Sequence, residues 1–211
     1  MKNAFLLLLA LTLASCNLSE PSSESHEMGD HTQLHGLPNM DNYTYTDSVN
    51  EGIITEDTLR GSPRRVTSSQ IGENQISIMY GSPGVRGRVI WGGLVAYDEV
   101  WATGAHMATK VEFSKDIQIE DVIIPAGTYG FFTIPSRDSW TLILNSNWDQ
   151  HLSDEYSMEL DIVRYVVTPE ITETMIPRLT YRIIEHELEN QASIVMNWES
   201  IQVELPFSNV E

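Results

Sequence analysis

From about Val66 onward, apolar residues recur at every second position, and that period limits the chain to sheets with one buried face. Ile76, Ile78 and Tyr80 alternate with Ser77 and Met79, Val111 and Phe113 with Glu112 and Ser114, and Ile117 and Ile119 with Gln118 and Glu120. Residues 128–134 are apolar on both faces at several positions, which predicts an interior strand. The turn Pro135-Ser136-Arg137-Asp138-Ser139 leads from it into Trp140-Thr141-Leu142-Ile143-Leu144-Asn145, so an antiparallel hairpin is expected there. Val163, Tyr165 and Val167 share a face, as do Leu179, Tyr181 and Ile183, then Ile194, Met196 and Trp198, then Ile201, Val203 and Leu205. Glu189-Asn190 and Glu199-Ser200 read as polar breaks at hairpin spacing, and Pro169, Pro177 and Pro206 as fences at strand ends. Only residues 149–159 leave room for a helical turn or two. About nine or ten short strands with almost no crossover helices predict an all-β domain over residues 61–211, an antiparallel β-sandwich, with a closed barrel as the alternative.

The chain ahead of this domain is of another kind. Between Asn17 and Arg60 it holds nine of the thirty acids, a single base and no sustained apolar period. Such a composition cannot offset the entropy of ordering, so residues 16–60 are expected to be an acidic, disordered tether. Further upstream, Lys2 precedes the apolar run Phe5-Leu6-Leu7-Leu8-Leu9-Ala10-Leu11, which is too short for a permanent span and reads as an export signal over residues 1–15. The run ends in Leu13-Ala14-Ser15-Cys16, which resembles the bacterial lipobox. That resemblance implies that Cys16 is lipidated and becomes the first residue of the mature protein; the competing reading is an ordinary secretory signal with a chance cysteine. The membrane would then be a partner through acyl chains alone. The expected location is the bacterial cell envelope, on the outer-membrane or periplasmic side, and Asn17 in place of Asp favours the outer membrane.

Charge and cysteine usage narrow the function classes. A formal charge of −18 argues against nucleic acid, which needs a basic face to neutralise phosphates. The lone cysteine cannot make an internal disulfide, a four-thiolate zinc site or a CxxC redox pair. In the tether, His26, Asp30, His31 and His35, with Met28 and Glu27 beside them, gather borderline and soft ligands suited to a transition metal such as copper, nickel or zinc. Their spacing matches no rigid metal motif, so drift in an exported tail is the competing reading.

One segment of the domain departs from plain alternation. Gly81, Gly84, Gly87, Gly92, Gly93 and Gly104 are interleaved with Arg86, Arg88, Trp91, Tyr97, Trp101 and His106. Glycines permit close backbone approach, and aromatics beside arginines offer stacking surface with directed donors, so these six side chains are the candidate ligand-binding set. The competing expectation is that the aromatics plug one end of the sandwich while the arginines pair with carboxylates.

The motifs in and after this segment carry a family resemblance. Tyr80-Gly81-Ser82-Pro83-Gly84-Val85-Arg86-Gly87-Arg88-Val89-Ile90-Trp91-Gly92-Gly93-Leu94-Val95, then Val100-Trp101-Ala102-Thr103-Gly104-Ala105, then Ile124-Pro125-Ala126-Gly127-Thr128-Tyr129-Gly130-Phe131-Phe132-Thr133-Ile134-Pro135 and Trp140-Thr141-Leu142-Ile143-Leu144-Asn145 follow in the order of domain of unknown function 2911 (DUF2911). The chain resembles that family from about Val66 to Pro206. The resemblance implies an exported bacterial protein, often a lipoprotein, and supplies no activity. Members commonly read Trp-Arg-Thr-Gly-Ala-Asn-Glu-Ala-Thr where this chain has Trp101-Ala102-Thr103-Gly104-Ala105-His106-Met107-Ala108-Thr109, so a site in that loop would be altered here. His106 beside Met107 offers a soft metal-binding corner only if the loop is irregular, because neighbours on a strand face opposite ways.

Catalytic signatures are sparse. Gly81-Ser82-Pro83-Gly84 lacks the spacing of a GxSxG elbow, and His186-Glu187-Leu188-Glu189-Asn190 begins like HExxH but ends in Asn on strand-like sequence. Asp149, His151 and Asp154 form a small acid and histidine group after the hairpin. Two readings follow. One is a membrane-anchored, non-catalytic binding or structural module that contacts an envelope glycan, peptide or protein. The other is an envelope hydrolase that uses carboxylates or a metal near His106 or His151.

Overall fold

A computed structural model describes residues 42–188 and 190–210. Among them, alternation translates into ten strands in two antiparallel sheets. The larger sheet holds β1 (Arg64–Ile71), β2 (Asn74–Gly81), β3 (Thr109–Phe113), β6 (Gly127–Pro135), β7 (Trp140–Asn145) and β8 (Asp161–Val167), in that spatial order. The smaller holds β5 (Val122–Ile124), β4 (Ile117–Ile119), β10 (Gln191–Asn209) and β9 (Glu170–Glu185). The architecture is therefore the expected sandwich, and the barrel alternative falls because neither sheet closes on itself.

The apolar faces meet as the spacing requires. Ile76, Ile78 and Tyr80 of β2, Val111 and Phe113 of β3, and Leu142 and Leu144 of β7 pack against Leu179 and Tyr181 of β9 and Ile194, Met196, Trp198, Val203 and Leu205 of β10. The two-faced strand β6 lies between β3 and β7, and its partner residues in the hairpin run from Gly130 opposite Asn145 to Pro135 opposite Trp140. Phe131 enters the main core, while Phe132 and Ile143 form a second cluster on the other face with Ala102, Ala108, Leu152 and Tyr156. Loops thus cover part of that outer face, which is why the strand can be apolar on both sides.

Two expectations need correction. Glu199-Ser200 is no hairpin turn but an irregularity inside a 19-residue strand. Inward positions fall on even numbers up to Trp198 and on odd numbers from Ile201, and a bulge at Glu199, with φ 55°, absorbs that change of parity. Pro177 and Pro206 lie within β9 and β10 rather than at their ends: β9 is an edge strand, and Pro206 falls between the last β10 residue registered with β9, Gln202, and the first registered with β4, Ser208. The room for a helical turn in 149–159 is used at its end: after bends and turns, a single 3₁₀ turn runs over Met158–Leu160.

The tether boundary also moves. Residues 42–60, expected to be disordered, contain α1 (Asn42–Asn50) and a strap in which Tyr45, Val49 and Leu59 are buried. A nine-residue helix is too short to announce itself by periodicity and owes its order to tertiary contacts. Those contacts centre on Arg178 of β9, which is fully buried. Its Nη2 donates to Asp57 Oδ1 at 2.9 Å and to the Leu59 carbonyl, and its Nη1 to the carbonyls of Ser82 and Gly61. The Asn50 side chain accepts from the Arg178 N–H at 2.8 Å and donates to its carbonyl at 3.0 Å.

Candidate functional site

The segment between β2 and β3 has no long strand of its own, yet hydrogen bonds hold it against the sandwich. Val89 to Val95 form a tight turn in which the Gly92 N–H donates to the Val95 carbonyl and the Leu94 N–H to the Val89 carbonyl. Gly92 has φ 75°, and a Cβ there would stand 2.8 Å from the Tyr97 ring, so the position requires glycine. Trp101 is fixed by a two-way backbone exchange with Thr133 of β6, at 2.8 and 2.9 Å. These two anchors bring Trp91 and Trp101 over the same end of the core.

Four indoles meet there. Trp91 lies edge-on to Trp101 at 5.9 Å, to Trp140 at 4.8 Å and to Trp198 at 5.7 Å, and Trp101 stacks on Trp198 at 5.7 Å. Trp140 and Trp198 are buried, whereas Trp91 and Trp101 are half-buried. The Trp91 indole N–H donates to Glu199 Oε2 at 3.2 Å, and the Ser200 hydroxyl donates to the same oxygen at 2.7 Å. Partial burial pushes the Glu199 pKa up, but hydrogen bonds from the Ser200 N–H, the Ser200 hydroxyl and Trp91 outweigh it, and the net direction is down. Glu199 is therefore an ionised acceptor at neutral pH. Trp198 Nε1 is buried with no hydrogen-bond partner among the described residues.

The other candidate side chains go elsewhere. Arg88 folds back onto its own turn, donating to the carbonyls of Gly84 and Val85. Tyr97 lies under the Arg137 guanidinium at 4.9 Å. Arg86 is exposed and lines a pocket of about 600 Å³ beside the strap, with Ile54, Asp57, Val85, Met175 and Pro177. His106 is exposed in the left-handed region, φ 68°, so the loop is irregular as a His106 and Met107 corner would need. His186 Nε2 bonds the Ser193 hydroxyl at 2.7 Å. His151 Nδ1 and Asp154 Oδ2 stand 2.8 Å apart on the surface. Cys16 and the tail positions His26, Asp30, His31 and His35 lie outside the described residues.

Sequence reading named Trp91 and Trp101 but missed Glu199 and Ser200. The signal was present, because a parity break in a strand puts unpaired residues at a bend, where they can be aimed at a neighbour. Among the described residues, no group of three or more His, Cys, Asp or Glu is placed to hold a metal ion, and no helix is long and apolar enough to cross a membrane. The model of a family described as a protein of unknown function, DUF2911, matches residues 62–207. No curated protein and no solved structure matches.

Proposed function

This chain belongs to the DUF2911 family, which carries no assigned activity, and from that premise we propose that it is a lipid-anchored envelope protein whose tryptophan end binds a glycan without catalysis. The observation that carries the reading is the pairing of two half-buried indoles with an ionised carboxylate at one end of the sandwich. Indole faces stack on the C–H faces of sugar rings, and a carboxylate accepts from their hydroxyls, so apolar and polar recognition occur side by side. The anchor rests on Cys16 and the export-signal pattern before it.

Titration of the full chain with soluble peptidoglycan fragments and with bacterial polysaccharides, followed by tryptophan fluorescence and calorimetry, tests the reading. Glu199→Gln and Trp101→Ala are expected to weaken binding tenfold or more, about 1.4 kcal/mol, while circular dichroism stays unchanged. Equal binding by wild type and both variants, or no binding to any of these glycans, overturns it. Cys16→Ala should abolish partitioning into detergent and fatty-acid labelling; retention of both would remove the anchor.

A further inference from the structure

The surface opposite the strap's clamp in chemistry, polar and open, holds a pairing that the sandwich itself does not require. Met107 and His151 are cross-strand partners in an isolated antiparallel bridge. The flanking bonds, Ala108 N–H to the Gln150 carbonyl at 3.0 Å and Leu152 N–H to the His106 carbonyl at 2.9 Å, make them a non-hydrogen-bonded pair. In such pairs the facing Cα atoms are about 4.5 Å apart and the side chains stand close together on one face. Their chain neighbours Ala108 and Gln150 are buried, so alternation turns Met107 and His151 outward. Met107 is 39% exposed and the His151 side chain 61%.

We propose that Met107 and His151 form a surface site for a soft monovalent cation, copper(I) in its natural setting. Three features build it. A thioether sulfur is a soft ligand that selects copper(I) over hard divalent ions, and imidazole nitrogen is a compatible second donor. Asp154 accepts the Nδ1 proton of His151 at 2.8 Å, which fixes the tautomer and leaves the Nε2 lone pair to face a metal, the outer-shell arrangement that ligating histidines use. The backbone beneath is braced by the cluster of Ala102, Ala108, Phe132 and Ile143, with Leu152 and Tyr156 against it, so the pair is held before a metal arrives. Two-coordinate copper(I) and silver(I) take one donor on each side of the ion, so an ion seated between the two side chains requires no third protein ligand. The site is independent of the tryptophan end and stands or falls separately.

Silver(I), a redox-inert substitute for copper(I), is the probe. The full chain, labelled at methionine methyl groups and at histidine rings, is titrated with silver nitrate and followed by NMR, which reads each methionine and each histidine separately from those of the tail. The expected result is that the Met107 methyl and the His151 ring resonances move together and saturate. Met107→Leu and His151→Gln, both at exposed positions, should abolish those shifts, and Asp154→Asn should weaken the affinity about 10–100-fold. The proposal is overturned if silver is not taken up, if it moves only other methionines or the tail histidines, or if Met107→Leu and His151→Gln bind as wild type does.

Discussion

The clamp around Arg178 and the tryptophan end both place a charged group beside aromatic rings, but they dispose of the charge in opposite ways. At the clamp the guanidinium is fully buried, lies 6.0 Å from the Tyr45 ring centroid, and meets carbonyls and the Asp57 carboxylate brought by the strap. At the tryptophan end the Glu199 carboxylate is half-buried, with donors on one oxygen and an accessible side. A charge enclosed with its partner serves the integrity of the fold, because separating the two leaves an uncompensated ion in a dry place. A charge met halfway keeps capacity for a visitor. The difference assigns a stabilising part to the clamp and leaves the other end open for the glycan binding proposed above.

The contrast can be broken most sharply at Asp57. Asp57→Asn removes the counter-charge while preserving shape, and is expected to cost about 3–5 kcal/mol in urea unfolding. A cost below about 1 kcal/mol would mean that the clamp is no more enclosed than the other end. Gly84→Ala acts on the same clamp indirectly, since a Cβ there would stand 2.4 Å from Asp57 Oδ2. Overpacking of this kind costs about 1–3 kcal/mol, measured as a fall in the denaturation midpoint without loss of glycan binding. Glu199→Gln should cost only about 0.5–1.5 kcal/mol at neutral pH while lowering binding, the reverse of the Gly84 variant.

Titration refines the comparison. A carboxyl whose pKa is lowered in the folded protein contributes stability above its ordinary value of 4.5 and loses it as pH falls through the folded value. Trp91 fluorescence should therefore change in a step below pH 4.5, and Glu199→Gln should remove the step. Tyr156 gives the smallest effect. Burial first, and then its bond to Asp161, push its pKa up to about 12. Its contribution is complete below pH 10 and is lost as pH rises towards about 12, so Tyr156→Phe should flatten the alkaline limb of the stability curve slightly.

The sandwich was legible because a buried face leaves a period-two trace on every strand, and Ile76 to Tyr80 or Ile194 to Trp198 needed no tertiary information to be placed. The strap was not legible, because Tyr45, Val49 and Leu59 are too few and too widely spaced to show a period, and their order depends on an arginine more than a hundred residues away in sequence. The tryptophan end was half legible. Trp91 and Trp101 stood out as large aromatics among glycines, but Glu199 looked like a turn residue until the uninterrupted strand on both sides of it revealed a bulge. In the sequence Met107 stands beside His106, and His151 between Asp149 and Asp154, and only the pairing of two distant loops joins Met107 to His151.

The homologous region starts at residue 62, and yet the counter-ion and two of the carbonyl acceptors of Arg178 come from Asp57, Leu59 and Gly61, just upstream. A fragment begun at residue 62 and run to the end of the chain would carry every strand described here and still leave a cation stripped of its shell at the heart of β9. Expression pieces intended for crystallisation or ligand screening should accordingly begin no later than α1, or the excised body will misbehave for reasons unrelated to its binding chemistry.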